Sequence, residues 1–166
     1  MKNISKTTSL LVLAFSLAVF SSCKKDDAAP ANNNPPSSNS TACNFTTDVL
    51  RIDATTKNIL SDSCRVFGSN YFIEHWVDSA RTEGIVIIFN GTALPAAGNY
   101  TAVSTFAAVD ATHAYVEYYT STTAYQPASG TITVTDSGIS KIYTFCNFAC
   151  TDGTTTKTVS VRATCN

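Results

Sequence analysis

The 166-residue chain has only two histidines, one tryptophan and one methionine, and no segment of it sustains a helical period. His75 and His113 stand far apart in sequence, so neither is assigned as a catalytic base. There is no Gly-x-Ser-x-Gly elbow, no His-Glu-x-x-His helix and no glycine loop suited to cradling phosphate. Without a nucleophile–base constellation the chain is read as a non-enzyme with no cofactor. A carboxylate pair such as Glu74 and Glu117 would suit glycoside chemistry, but nothing in the sequence sets their separation. The apolar stretch at residues 10–20 (LLVLAFSLAVF) is too short to cross a bilayer.

That stretch has a different use. Lys2 and Lys6 precede it, and the small residues Ser21 and Ser22 lead from it directly to Cys23. The order resembles the lipobox of bacterial lipoproteins, which implies cleavage before Cys23 and its diacylation, although Phe20 stands where Leu or Val is usual. Two acyl chains hold a domain firmly on a membrane, at about 0.8 kcal/mol per buried CH₂. The alternative is an ordinary secretory signal whose Cys23 later joins a disulfide. Lys24, Lys25, Asp26 and Asp27 resemble the export tag of Bacteroidota surface lipoproteins, implying an outer-membrane anchor facing the cell exterior; a periplasm-facing anchor is the alternative. Residues 28–41 (AAPANNNPPSSNST) bury too little apolar surface to offset their ordering entropy and read as a disordered spacer. The expected organisation is therefore a signal at 1–22, an acylated cysteine and spacer at 23–41, and one domain at 42–166. Losing Lys2 and Lys6 from 11 basic side chains leaves nine against 12 acidic ones, a net charge near −3 that argues against nucleic acid.

Strand signals fill the domain. Residues 49–56, 65–77, 85–89, 99–103, 113–120, 131–135, 139–148 and 156–164 are rich in Val, Ile, Thr and Tyr. Asn90-Gly91, Ala97-Gly98, Gln126-Pro127, Ser137-Gly138 and Asp152-Gly153 punctuate them as turns. Clean alternation at 131–135 (TITVT) points Ile132 and Val134 to a core, with a hairpin reversing at Asp136-Ser137-Gly138. About eight strands at this spacing predict an all-β, antiparallel β-sandwich or open barrel.

The run at 85–91, Gly98-Asn99-Tyr100-Thr101, the Tyr-rich strand at 115–119, the 129–135 strand (SGTITVT) and the closing hairpin resemble small uncharacterised Bacteroidota lipoproteins. The resemblance implies an all-β fold and a surface location and carries no chemistry. Cys146 and Cys150 depart from it, falling where a plain Phe-x-Phe strand is usual.

With Cys23 acylated, Cys43, Cys64, Cys146, Cys150 and Cys165 remain, which allows two bridges and one free thiol. On one extended strand Cys146 and Cys150 would lie about 13 Å apart, beyond disulfide reach unless the strand bulges or ends between them. Cys43 and Cys165, near the domain ends, are expected in bridges, with Cys64 a further candidate. Cys-x-x-x-Cys on a strand is poor zinc spacing, so a metal site from Cys146, Cys150 and a histidine is set aside in favour of bridging.

Candidate ligand contacts lie on 113–119 (HAYVEYY). Period two places His113, Tyr115, Glu117 and Tyr119 on one face and Ala114, Val116 and Tyr118 on the other, the second set reading as core. Two tyrosines flanking a carboxylate suit the apolar faces and hydroxyls of sugars. The plainer reading, cross-strand pairs stabilising a solvated sheet, is preferred for this row. In 71–78 (YFIEHWVD) neither face is plainly core, so Trp76 is either buried or part of a binding patch. Asp78-Ser79-Ala80 resembles the O-glycosylation motif of Bacteroidota exported proteins, while Asn44, Asn90 and Asn99 read as turn and strand-edge chemistry. The expected function is a lipid-anchored binding or adhesion module for a glycan or protein; the alternative is a structural or accessory envelope lipoprotein.

Overall fold

The computed structural model describes residues 43–166. The strands are β1 (Val49–Ile52), β2 (Thr55–Asn58), β3 (Ser61–Phe67), β4 (Asn70–Trp76), β5 (Glu83–Asn90) and β6 (Gly98–Val103). They continue with β7 (His113–Thr120), β8 (Thr123–Pro127), β9 (Thr131–Ser137), β10 (Ser140–Thr151) and β11 (Thr156–Cys165). All belong to one mixed sheet in the order β2-β1-β11-β10-β9-β6-β7-β5-β4-β3. Only the β6–β7 pair is parallel; the rest are antiparallel. β8 stands off that path and pairs with both β7 and β10, so β7, β8, β10, β9 and β6 form a closed circuit of pairings.

Eleven strands replace the expected eight because the chain also reverses at Asp53, at Gly68 and, between β7 and β8, at Ser121-Thr122. Residues 49–56 break at Asp53, which takes a left-handed φ of 53°. Asp tolerates that conformation, and its carboxylate accepts the Thr158 backbone N–H at 2.9 Å. Residues 65–77 are a hairpin, reversed at Gly68 with φ 63°, where a side chain would be strained. Gln126-Pro127 is the end of β8 and not a turn: the strand leaves β7 and pairs with β10 there. Proline fits because it lacks the N–H that a continuing ladder needs. The β9–β10 reversal sits one residue later than expected, at Gly138-Ile139, with Ser137 paired to Ser140.

The alternation expected of 131–135 and 113–120 holds. Ile132, Val134, Ala114, Val116 and Tyr118 are buried, and they join Leu50, Ile73, Ile85, Ile87, Phe89, Tyr143, Phe145 and Val161 in one core. Gly130 opens β9 because a Cβ there would lie 2.2 Å from the Phe148 ring. β10 bulges between Phe145 and Phe148. Asn147 takes φ 55° at the bulge, held by Ser160 Oγ accepting its N–H at 2.8 Å and by Arg51 donating to its Oδ1 at 3.0 Å. The extra residue turns Phe145 and Phe148 inward together, their rings stacked 4.2 Å apart.

Two disulfides tie distant strands. Cys43 bridges Cys146 on β10 with a Cα separation of 5.8 Å, and Cys64 on β3 bridges Cys165 on β11 at 6.0 Å. The second bridge brings the last strand of the sheet order against β11, so the sheet folds back on itself. Cys43, Cys64 and Cys165 are thus in bridges as expected, Cys146 is their fourth partner, and Cys150 is the free thiol. The bulge between Cys146 and Cys150 does not join them. Cys146 meets Cys43, while Cys150 is wholly buried and burial pushes its thiol up to about 12.

Non-reducing peptide mapping is expected to recover Cys43–Cys146 and Cys64–Cys165, with Cys150 alkylated only after denaturation. Each bridge closes a loop of about 100 residues, so replacing both cysteines of one pair by alanine should cost about 2–5 kcal/mol in urea unfolding. Fast alkylation of Cys150 in the native protein would contradict this core.

Candidate functional site

The ladder joining β3, β4, β5 and β7 sets three rows of side chains on its outer face. Residues directly opposite on paired strands point the same way, so register alone specifies the neighbours. The first row is Ser61, Trp76, Gly84 and Tyr119; the second is Ser63, Glu74, Val86 and Glu117; the third is Arg65, Phe72, Ile88 and Tyr115. Burial on β4 and β7 alternates to match, with Trp76, Glu74, Phe72, Tyr119, Glu117 and Tyr115 half-buried.

Trp76 lies across Gly84, where a Cβ would come within 2.6 Å of the indole. That Cβ would also lie 2.4 Å from the His75 carbonyl oxygen, so the backbone and the indole together leave room only for glycine. The indole meets Tyr119 edge to face, with centroids 6.3 Å apart at 88°. Between the second and third rows Arg65 pairs with Glu74 at 2.9 Å. Tyr115 donates its hydroxyl to Glu117 and accepts from Gln126 Nε2 at 2.9 Å. Burial and then the bond to Glu117 push the Tyr115 phenol up to about 12, so it remains a neutral donor. Gln126 also lines a concavity of about 390 Å³ with Ser104, Pro127, Thr151 and Asp152, where β8 crosses to β10. Phe72 touches Phe67 and Phe106, which are 70% and 50% exposed and extend the aromatic surface to the sheet edge.

Of the expected ligand contacts, Tyr115, Glu117, Tyr119 and Trp76 share this face. His113 does not join them: its Nδ1 lies 2.8 Å from the Asp110 carboxylate, within a loop that Asp110 also closes through the backbone N–H groups of Thr112 and His113. Those contacts, led by the Thr112 N–H, pull Asp110 down to about 2. Glu74 and Glu117 flank Val86 two strands apart, which puts their Cα atoms about 10 Å from each other. Each already has a partner, Arg65 or Tyr115. Asp78 accepts from the backbone N–H groups of Thr82 and Glu83 as a turn staple, leaving Ser79 exposed beside it. Phe67, Phe72, Phe106 and Gln126 were missed; the alternation of Phe72 with Glu74 and Trp76 was the signal for one of them.

The inner face carries different chemistry. Tyr118 donates to Glu83 at 2.9 Å, and Lys57 pairs with the same carboxylate, linking β7, β5 and β2. His75, 1% exposed, sits beside Cys64 and Cys165, with one donor atom from each of the three within 4.8 Å of the others. Neither His75 nitrogen has a hydrogen-bond partner. The alternative metal trio of Cys146, Cys150 and a histidine is not assembled, because Cys146 is bridged to Cys43 and Cys150 lies in the core. Burial lowers His75 to about 4, against the opposing pull of Asp62 and Asp48.

The folded His75 thus binds its proton about 2.5 pH units later than the unfolded one, so stability is full above about pH 6.5 and falls as pH drops toward 4. The loss should approach about 3 kcal/mol in urea unfolding, and His75→Gln should flatten that difference between pH 7 and pH 4.5. Equal slopes in the two proteins would show that His75 is not protected. A second expectation concerns the outer face. Gly84→Ala should displace the only tryptophan, shifting its fluorescence and costing about 1–3 kcal/mol through overpacking.

Cys23 and the Lys24, Lys25, Asp26 and Asp27 run lie outside the described residues. No protein-family model, no curated protein and no solved structure matches the chain.

Proposed function

We propose that this chain is a membrane-anchored, non-enzymatic binding module whose ligand is a glycan lying across the outer face of β3, β4, β5 and β7. The observation that carries the reading is the Trp76–Tyr119 pair, set flat on glycine beside Glu74, Arg65, Glu117 and Gln126. Aromatic faces pack against the C–H faces of a sugar ring, and the flanking carboxylates, guanidinium and amide suit its hydroxyls. Tyr and Trp lose little conformational entropy on binding, and here packing already restricts both.

In this reading Cys23 is the acylated residue, Lys24 to Asp27 direct the protein to the outer membrane facing the exterior, and the spacer holds the domain off the lipid. The resemblance to Bacteroidota surface lipoproteins supports that placement. The sheet is read as a sandwich closed on one side, with β3 over β11 through Cys64–Cys165 and β2 over β5 through Lys57–Glu83. A second reading, an accessory envelope lipoprotein that docks a protein, is favoured by one observation: the exposed Val66, Phe67 and Phe106 at the edge strand β3.

A glycan array probed with the acyl-free chain from Ala42 to Asn166 separates the two. Trp76→Ala and Tyr119→Ala should each weaken a glycan hit by about 2 kcal/mol, roughly thirtyfold in Kd, while His113→Ala leaves it unchanged. Binding that survives the double substitution would remove the site. A blank array with a partner crosslinked through Phe67 would favour the accessory reading.

A further inference from the structure

His75 and Trp76 are adjacent in the chain but face opposite sides of β4, so the inner cluster around His75 is independent of the ligand face. A buried imidazole ordinarily donates from one nitrogen and accepts at the other, and leaving both unmet in the core is costly. What lies beside it is sulfur. Cys64 on β3 is diagonal to His75 across the β3–β4 pair, and Cys165 is the last residue of β11. One donor atom from each of the three lies within 4.8 Å of the others. A tetrahedral zinc site, with Zn–S near 2.3 Å and Zn–N near 2.0 Å, needs its donor atoms about 3.5–4 Å apart. Small side-chain movements would meet that spacing once the sulfurs separate.

We propose that reduction of the Cys64–Cys165 bridge converts this cluster into a Cys₂His site for a thiophilic divalent cation, with zinc(II) as the probe. A phosphine or dithiol reductant supplies two electrons, the S–S bond breaks, and each sulfur takes up a proton. Zinc then binds both sulfurs as thiolates and the two protons leave to solvent. His75 brings a ring-nitrogen lone pair, and neither of its nitrogens is engaged by another group. The fourth position falls to solvent, because Asp62, directly opposite His75 on the ladder, is exposed and stands outside the three-donor cluster. Asp48 is held elsewhere, by Arg162 and by the Thr164 N–H and hydroxyl. A cavity of about 400 Å³ lined by Ser61, Asp62, His75 and Thr164 gives the ion its route in. Disulfide and metal are thus alternative crosslinks of β3 to β11, chosen by redox state. The oxidised sulfurs are poor ligands, so the two states exclude one another.

The test uses the full chain with Cys43→Ser and Cys146→Ser, beside the wild type, each reduced with a phosphine and titrated first with cobalt(II) and then zinc(II). One cobalt per chain with a thiolate-to-metal charge-transfer band, displaced by zinc, is expected in both. The band should vanish in Cys64→Ser and in Cys165→Ser, persist in Cys150→Ser, and be missing from oxidised protein. His75→Ala should weaken cobalt binding by more than the about 10–100-fold typical of losing an outer-shell partner. Zinc should also raise the thermal midpoint of the reduced wild type. A reduced chain that keeps its strand circular dichroism but shows no band overturns the proposal. So does a band that survives Cys64→Ser, or unchanged affinity in His75→Ala. If reduction unfolds the chain, failure of zinc to restore the strand signal overturns it equally.

Discussion

The backbone ladder joining β3, β4, β5 and β7 specifies what each face can do, because a slip of one residue would exchange the two faces. In the observed register Trp76 falls on Gly84 and next to Tyr119, while His75 faces inward to the two sulfurs. Burial enforces that register from below. Ile73, Ile85, Ile87 and Val116 are wholly buried, and the opposite register would put them in water. At roughly 1.5–3 kcal/mol for each of these four fully buried side chains, such a slip costs about 6–12 kcal/mol, comparable with the whole stability of a typical domain.

Long-range ties then close the sheet. Its order places strands from opposite ends of the sequence side by side, as with β1 on β11, and loop closure makes such contacts entropically expensive. The two disulfides remove much of that entropy from the unfolded chain, since each spans about a hundred residues. The bulge at Asn147 has a complementary role. It lets β10 turn Phe145 and Phe148 inward together while Cys146 reaches Cys43. One inserted residue thereby serves core packing and crosslinking at once.

On the outer face the aromatic and polar groups are preorganised by contacts with one another. Arg65 holds Glu74, Gln126 and Glu117 hold Tyr115, and Trp76 and Tyr119 hold each other. Restricting these side chains before a ligand arrives reduces the ordering cost of binding. In the proposed glycan reading, the same pairing holds Glu74 and Glu117 in place to accept from hydroxyls.

Much of this was legible in the residues. Alternation at 131–135 and over most of 113–119 marked both strands and their buried faces, since a period of two leaves each side chain only one of two sides. Five cysteines follow Cys23, so pairing among themselves leaves one over, and strand geometry already disfavoured joining Cys146 to Cys150. The hairpin at Asp53 was hidden because a single left-handed residue reverses the chain there, whereas Gly68-Ser69-Asn70 did carry turn residues, set inside a run otherwise rich in strand formers. Tertiary structure alone decided which cysteines pair, how far Glu74 stands from Glu117, that Trp76 meets Tyr119, and that His75 meets Cys64 and Cys165. Each is a relation between strands remote in sequence, and sheet order and register, which local periodicity does not encode, set every one of them.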